Sequence, residues 1–172
     1  GKDNTVNVTV TTNPLTTSAH VLGINEIVAG IHSANTVTAT LSLDKSEAAS
    51  FSGVSNQPLT ITISDQMLVS EFSTLDGVTS QDVTLTTGLK DSITNLVPAG
   101  TVSTVVDDAL ADNAGLKIQV DPAVTSNQTY LHTLAAKAFG PITASVTGSA
   151  SVLAGLTNLA DNDPITYTID SD

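Results

Sequence analysis

The stretch "NTVTATLSL", residues 35–43, sets Val37, Ala39, Leu41 and Leu43 at every second place, with Thr38, Thr40 and Ser42 between them. Successive side chains of a strand point to opposite faces, so this pattern describes a β-strand with one dry face and one wet face. The opening "NTVNVTVTTNP" (4–14) has the same form: Val6, Val8 and Val10 alternate with Thr5, Asn7, Thr9 and Thr11. "PLTITIS" (58–64) follows, with Leu59, Ile61 and Ile63 inward, and "DVTLTT" (82–87), "LKIQV" (116–120), "ITASVTGSASVL" (142–153) and "PITYTI" (164–169) complete a series of extended segments. The echo between residues 4–12 and 35–43 reads as shared strand chemistry rather than as a repeat. "QMLVSEF" (66–72) is read as a strand beside residues 58–64. "VLGINEIVAGI" (21–31), with glycines at 23 and 30, is read as a buried strand pair or a bent strand with a bulge.

The period changes in a few places. Leu89, Ile93 and Leu96 lie four and three apart and predict one short helix before Pro98. Val102, Val105, Val106, Ala109 and Leu110 predict a second, stopped near Gly115. Leu131, Leu134, Ala135 and Ala138 predict a third, closed by Gly140-Pro141, and "DKSEAASFSG" (44–53) is a polar connection with a single helical turn. Many short alternating strands separated by turn signals predict an all-β protein: an antiparallel β-sandwich, jelly-roll or Ig-like, of roughly eight to ten strands with a few short helices. Residues 1–14 form an extended N-terminal strand in this reading and 15–172 the sandwich domain.

Composition bounds the function. A chain of 172 residues can bury roughly 70% of its unfolded surface around one core. With 3 Phe, 2 Tyr and no Trp, that core is aliphatic. The net charge is −12, and all five basic residues are lysines (Lys2, Lys45, Lys90, Lys117 and Lys137). Nucleic acid and anionic lipid both demand a basic footprint, so neither is an expected partner. No segment approaches the ~18 apolar residues of a membrane span. The absence of cysteine removes disulfides and thiolate chemistry. The Thr/Ser/Asn-rich, arginine-free balance predicts an extracellular or cell-surface protein.

No catalytic pattern emerges. His20, His32 and His132 lack the spacing of a zinc site, and there is neither a G-x-S-x-G elbow nor a phosphate-binding glycine loop. The expectation is a protein that is not an enzyme and needs no cofactor, with calcium as the one candidate ligand. Calcium takes six to eight oxygens, which closely spaced Asp and Asn on loops supply. "VVDDALADNAG" offers Asp107, Asp108 and Asp112, and "LADNDPITYTIDSD" offers Asp161, Asp163 and Asp170; the reading of both as solvated acidic loops stays open. Asn7 and Asn127 match the N-glycosylation pattern.

The terminal strand raises the question of whose sheet it joins. Residues 5–11 could lie in their own sheet, or they could leave it, past Asn13-Pro14, and add to a neighbouring subunit. At about 1.5–3 kcal/mol per buried side chain, three valines would make a strong connection. "KDNTVNVTVTTNP" (2–14) resembles the amino-terminal donor segment of fimbrial and other strand-exchanged filament subunits. That resemblance implies a pilus, filament or surface-layer subunit in which Thr5, Val6, Asn7, Val8, Thr9, Val10 and Thr11 act as donor strand and the chain is its own partner in a head-to-tail homopolymer. "DNDPITYTI" (161–169) resembles the Asp-rich start of the last strand in calcium-binding, cadherin-like adhesin modules. It implies the alternative, a monomeric, calcium-stabilised adhesin module of a larger surface protein, with a host or cell-surface ligand as partner.

Overall fold

The computed structural model describes residues 8–9, 15–31, 35–156, 159 and 163–170. Among these residues the strands are β1 (Val8–Thr9), β2 (Val37–Leu43), β3 (Leu59–Ile63), β4 (Val83–Leu85), β5 (Leu89–Asp91), β6 (Ile118–Val124), β7 (Ile142–Gly148) and β8 (Ile165–Ile169). Helices α1 (Ser18–Gly30), α2 (Lys45–Ala48), α3 (Val69–Asp76), α4 (Ile93–Leu96), α5 (Thr104–Asp112), α6 (Tyr130–Ala135) and α7 (Ala150–Ala154) lie between them.

The strands form two four-stranded sheets, β1-β2-β3-β4 and β5-β6-β7-β8, and every pairing is parallel. The expected antiparallel β-sandwich is therefore wrong: this is a mixed α/β fold. Alternation marked the strands at 37–43, 59–63, 83–85 and 165–169 but said nothing about their direction. Most parallel sheets are covered on both faces and read as continuous apolar runs, which is why clean alternation argued for antiparallel pairing. Here β2 is buried at Val37, Ala39, Leu41 and Leu43 and open between them, so a parallel strand has one dry face only. The arrangement that permits this is a stack of coils. Ala39 pairs with Leu59, Ile61 with Val83 and Ile118 with Ile142, steps of roughly 20 to 30 residues, the range of stacked repeats.

The chain divides into two compact units, one made of Gly1–Gln66 with Ser70–Thr86, the other of Met67–Val69 with Thr87–Asp172. In the first, the dry face is built of rows that run across the strands: Leu41–Ile61–Val83 and Leu43–Ile63–Leu85, all buried. In the second, the equivalent row is Leu89–Ile118–Ile142. Residues 121–123 bulge from β6, because Val120 pairs with Ala144 and Val124 with Val146. Pro122, which cannot donate to a ladder, occupies that bulge.

Two segments read as strands are helices. Residues 21–30 belong to α1 and Ile31 is its C-cap; Thr17 caps the first turn through its hydroxyl, and Val21 and Ile24 are buried three apart. Residues 66–72 run into α3, where Val69, Phe72 and Leu75 are buried at a three-residue interval that becomes visible only when the window extends past Phe72. The predicted helix at 89–96 is strand β5 followed by α4, and the predicted strand 142–153 is β7 followed by α7. Polar residues mark the switch from extended chain to helix: Asp44 caps α2, Ser92 caps α4 and Ser149 caps α7, each satisfying an N–H that the first turn leaves unpaired.

Two outcomes test this packing. Gly88 has φ +94°, and a Cβ there would collide with the Lys117 carbonyl oxygen, which accepts the Leu89 N–H at 3.0 Å. Gly53 also has positive φ, +69°, but nothing lies within 4 Å of its would-be Cβ. Chemical denaturation should show Gly88→Ala losing about 3 kcal/mol or more, strain plus collision, while Gly53→Ala loses only the strain of about 1–2 kcal/mol. The second concerns Asp44, whose carboxyl is held below the usual aspartate range by the Ser46 hydroxyl and then by the Glu47 N–H. A lowered folded-state pKa gives stability that is present above the ordinary aspartate range and lost as pH falls through the folded value. Asp44→Ala should melt below the parent at neutral pH, with the gap closing on acidification.

Candidate functional site

The acidic residues singled out by the sequence are not gathered. Asp107, Asp108 and Asp112 lie along α5. Both Asp107 carboxylate oxygens accept from Lys137 Nζ at 3.1 Å. Asp163 precedes β8, and its Oδ1 accepts the Ile142 N–H at 2.8 Å, fixing the start of β7. Asp170 is exposed just beyond β8, and its own N–H donates to the Gly148 carbonyl at 3.1 Å. Asp161 lies outside the described residues. Among the described residues no group of three or more His, Asp or Glu side chains is placed to hold a metal ion. Asn127 is exposed on the turn after β6 with φ +57°, open to modification; Asn7 lies outside the described residues.

The described histidines belong to separate helices, α1 and α6. His20 Nδ1 accepts the Thr16 N–H at 3.2 Å and sits 3.1 Å from the Thr17 hydroxyl, at the cap of α1. His132 lies on α6 with a buried Nε2 that has no hydrogen-bond partner. His32 lies outside the described residues. In the first unit an open cleft of about 530 Å³ is lined by Val28, Ile31, Asn35, Thr36, Ser55, Asn56 and Gln57. Gln57 is occupied structurally: its Oε1 accepts the Val37 N–H at 2.8 Å and its Nε2 donates to the Ser55 carbonyl at 3.1 Å. Amides and hydroxyls can bind polar uncharged groups there, and none of the described lining residues has an ionisable side chain.

Of the proposed donor strand, Val8 and Thr9 are described, and Thr5, Val6, Asn7, Val10 and Thr11 lie outside. Val8 pairs with Val37 and Thr9 with Thr38 of the same chain, in parallel, and the Val8 N–H donates to the Thr36 carbonyl at 3.0 Å. Val8 and Thr9, from one of the two segments whose sequences echo each other, thus lie beside the other in one sheet.

A feature the sequence did not reveal lies at β8. Its residues Ile165, Tyr167 and Ile169 pair with Ala144, Val146 and Gly148 of β7, all three buried. The buried row of β7 therefore continues onto β8, yet Tyr167 is 45% and Ile169 66% exposed, and Val152 on α7 is 42% exposed. Gly148 joins the two elements, since a Cβ there would lie 3.5 Å from Val152 Cγ1. In sequence "PITYTI" alternates like every other strand, so the signal for its exposure is absent: what differs is that no described strand follows it in the sheet order.

Charge contributes little to holding these elements. The ion pairs Lys45–Glu71, Lys90–Asp121 and Lys137–Asp107 all involve substantially exposed side chains. Asp91 differs: it is buried, and its carboxylate accepts from the Val69 N–H at 3.0 Å, the Ser92 N–H at 2.8 Å and Asn95 Nδ2 at 2.7 Å. Lys137→Ala should change stability by less than about 1 kcal/mol. Asp91→Ala, which strands a buried N–H, should cost about 2–3 kcal/mol by denaturant titration. No protein-family model, no curated protein and no solved structure matches this chain.

Proposed function

We propose that this protein is a non-catalytic structural element of an extracellular filament or surface layer, assembled head to tail through its N-terminal strand. The observation that carries the reading is the stack of parallel coils. Each strand continues the aliphatic rows of the strand before it, so a further coil or a further copy can extend the stack by the same contacts. The net charge of −12 and the absence of arginine support an exposed, solvated setting rather than contact with nucleic acid or anionic lipid. Threonine and serine on the outer faces, as at Thr38, Thr60 and Thr84, support the same. The resemblance of residues 2–14 to donor segments supports assembly through that end.

A second reading, a module within a larger adhesive surface protein, is favoured by the exposed row on β8, which a following coil would cover as β8 covers β7. Electron microscopy and sedimentation of the full chain beside a version lacking residues 1–12 separate the two. Assemblies that form from the full chain and vanish on deletion support the filament reading. Monodisperse single chains in both samples retire it in favour of the module.

A further inference from the structure

The geometry points to β8 as the acceptor of the neighbouring copy's β1, added as a fifth parallel strand to the sheet of the second unit. This rests on the assembly reading above and names the site through which it would act.

The first argument is the hydrogen-bond pattern. In a parallel ladder, alternate residues of a strand serve its two neighbours. Asp170 N–H donates to the Gly148 carbonyl, so the even-numbered residues of β8 face β7. Tyr167 and Ile169 turn their N–H and C=O groups to the opposite edge, where no described strand pairs with them. At the other end of the chain the Val8 N–H donates to the carbonyl of Thr36, just before β2, so Thr9 presents its backbone to the outer edge of β1. Every step of both sheets adds a later strand to the same edge of an earlier one. Among the described strands none follows β8 and none precedes β1. A second copy supplies each with such a neighbour, in the same direction and with the same ladder.

The second argument is the side chains. The exposed Tyr167 and Ile169 continue a row that is buried everywhere else in that sheet. By contrast β4, the last strand of the other sheet, has Val83 and Leu85 buried, so uncovered apolar surface distinguishes β8. Val8 is half-buried and shares its face with buried Val37. Val8 thus offers an apolar side chain on the same face as the Tyr167 and Ile169 row. A free edge carrying exposed apolar side chains is a template for strand addition, and a contact between two different surfaces of one chain extends rather than closes. The net charge of −12 opposes association between copies, so salt should strengthen it.

The test uses full chains with proline at one edge or the other. Tyr167→Pro removes an outward N–H of β8 and leaves the β7 ladder in place; Thr9→Pro does the same for β1. Tyr167→Lys, which keeps the backbone donor and places a charge in the row, serves as a second variant should proline perturb the fold, and thermal melting checks each. Sedimentation across protein concentration at low and high salt should show the parent associating, and each variant weakened about tenfold or more. A mixture of Tyr167→Pro with Thr9→Pro should form a discrete dimer, because one retains a good β1 and the other a good β8. If the parent associates and the β8 variants associate equally well, β8 is not the acceptor and the assembly reading survives without it. If the parent stays monomeric at every salt and concentration, both are overturned.

Discussion

The structure depends on one constraint: side chains two apart on a strand must stack directly on those of the strand before, in register, at the spacing of a parallel ladder. Leu41 on Ile61 on Val83, and Leu43 on Ile63 on Leu85, are what this looks like in the first unit. At about 4.8 Å between strands, leucine, isoleucine and valine stack without gaps, whereas indole rings would not. The aliphatic, tryptophan-free composition is the chemical form of that constraint. The short capped helices return the chain to the next rung, and the bulge at 121–123 absorbs residues the register does not use.

The extended segments were legible because burial on one face leaves a period of two, and Val37–Leu43, Leu59–Ile63 and Ile165–Ile169 follow it. Direction was not legible. Alternation records which side chains are dry and carries no trace of which way the neighbouring backbone runs. The helices α1 and α3 were obscured by content: valine and isoleucine suggest strands, and the three-residue interval of Val69, Phe72 and Leu75 exceeds a short window. At the candidate site, the acidic residues were visible as charges, but their separation along α5 and around β8 is a property of the fold. The uncovered face of β8 could not be read, since Ile165 and Tyr167 alternate no differently from Ile61 and Ile63.

Hydroxyls do more than solvate the outer faces. Ser64 donates to the Leu43 carbonyl, Thr86 to the Ile63 carbonyl and Thr79 to the Leu59 carbonyl, each binding the strand stacked beside its own coil. The Leu43 and Ile63 carbonyls also accept the Ser64 and Thr86 N–H groups at 3.0 Å, so these hydroxyls add a second bond where a rung ends. The abundance of threonine therefore has two structural causes, a wet strand face and the closing of rungs, and neither requires charge.

The bulge at residues 121–123 gives the second unit a mechanical asymmetry. Tension along the strands would load the β6–β7 ladder in shear, and Val124 on Val146 beyond the bulge stands apart from the continuous block that begins at Ile118. Tension across the strands would instead peel rungs singly from the open side of β8, which pairs with one described strand, β7. Such a unit resists stretching along its strands far better than separation of its layers, and its compliance is set by the last rung rather than by the whole core.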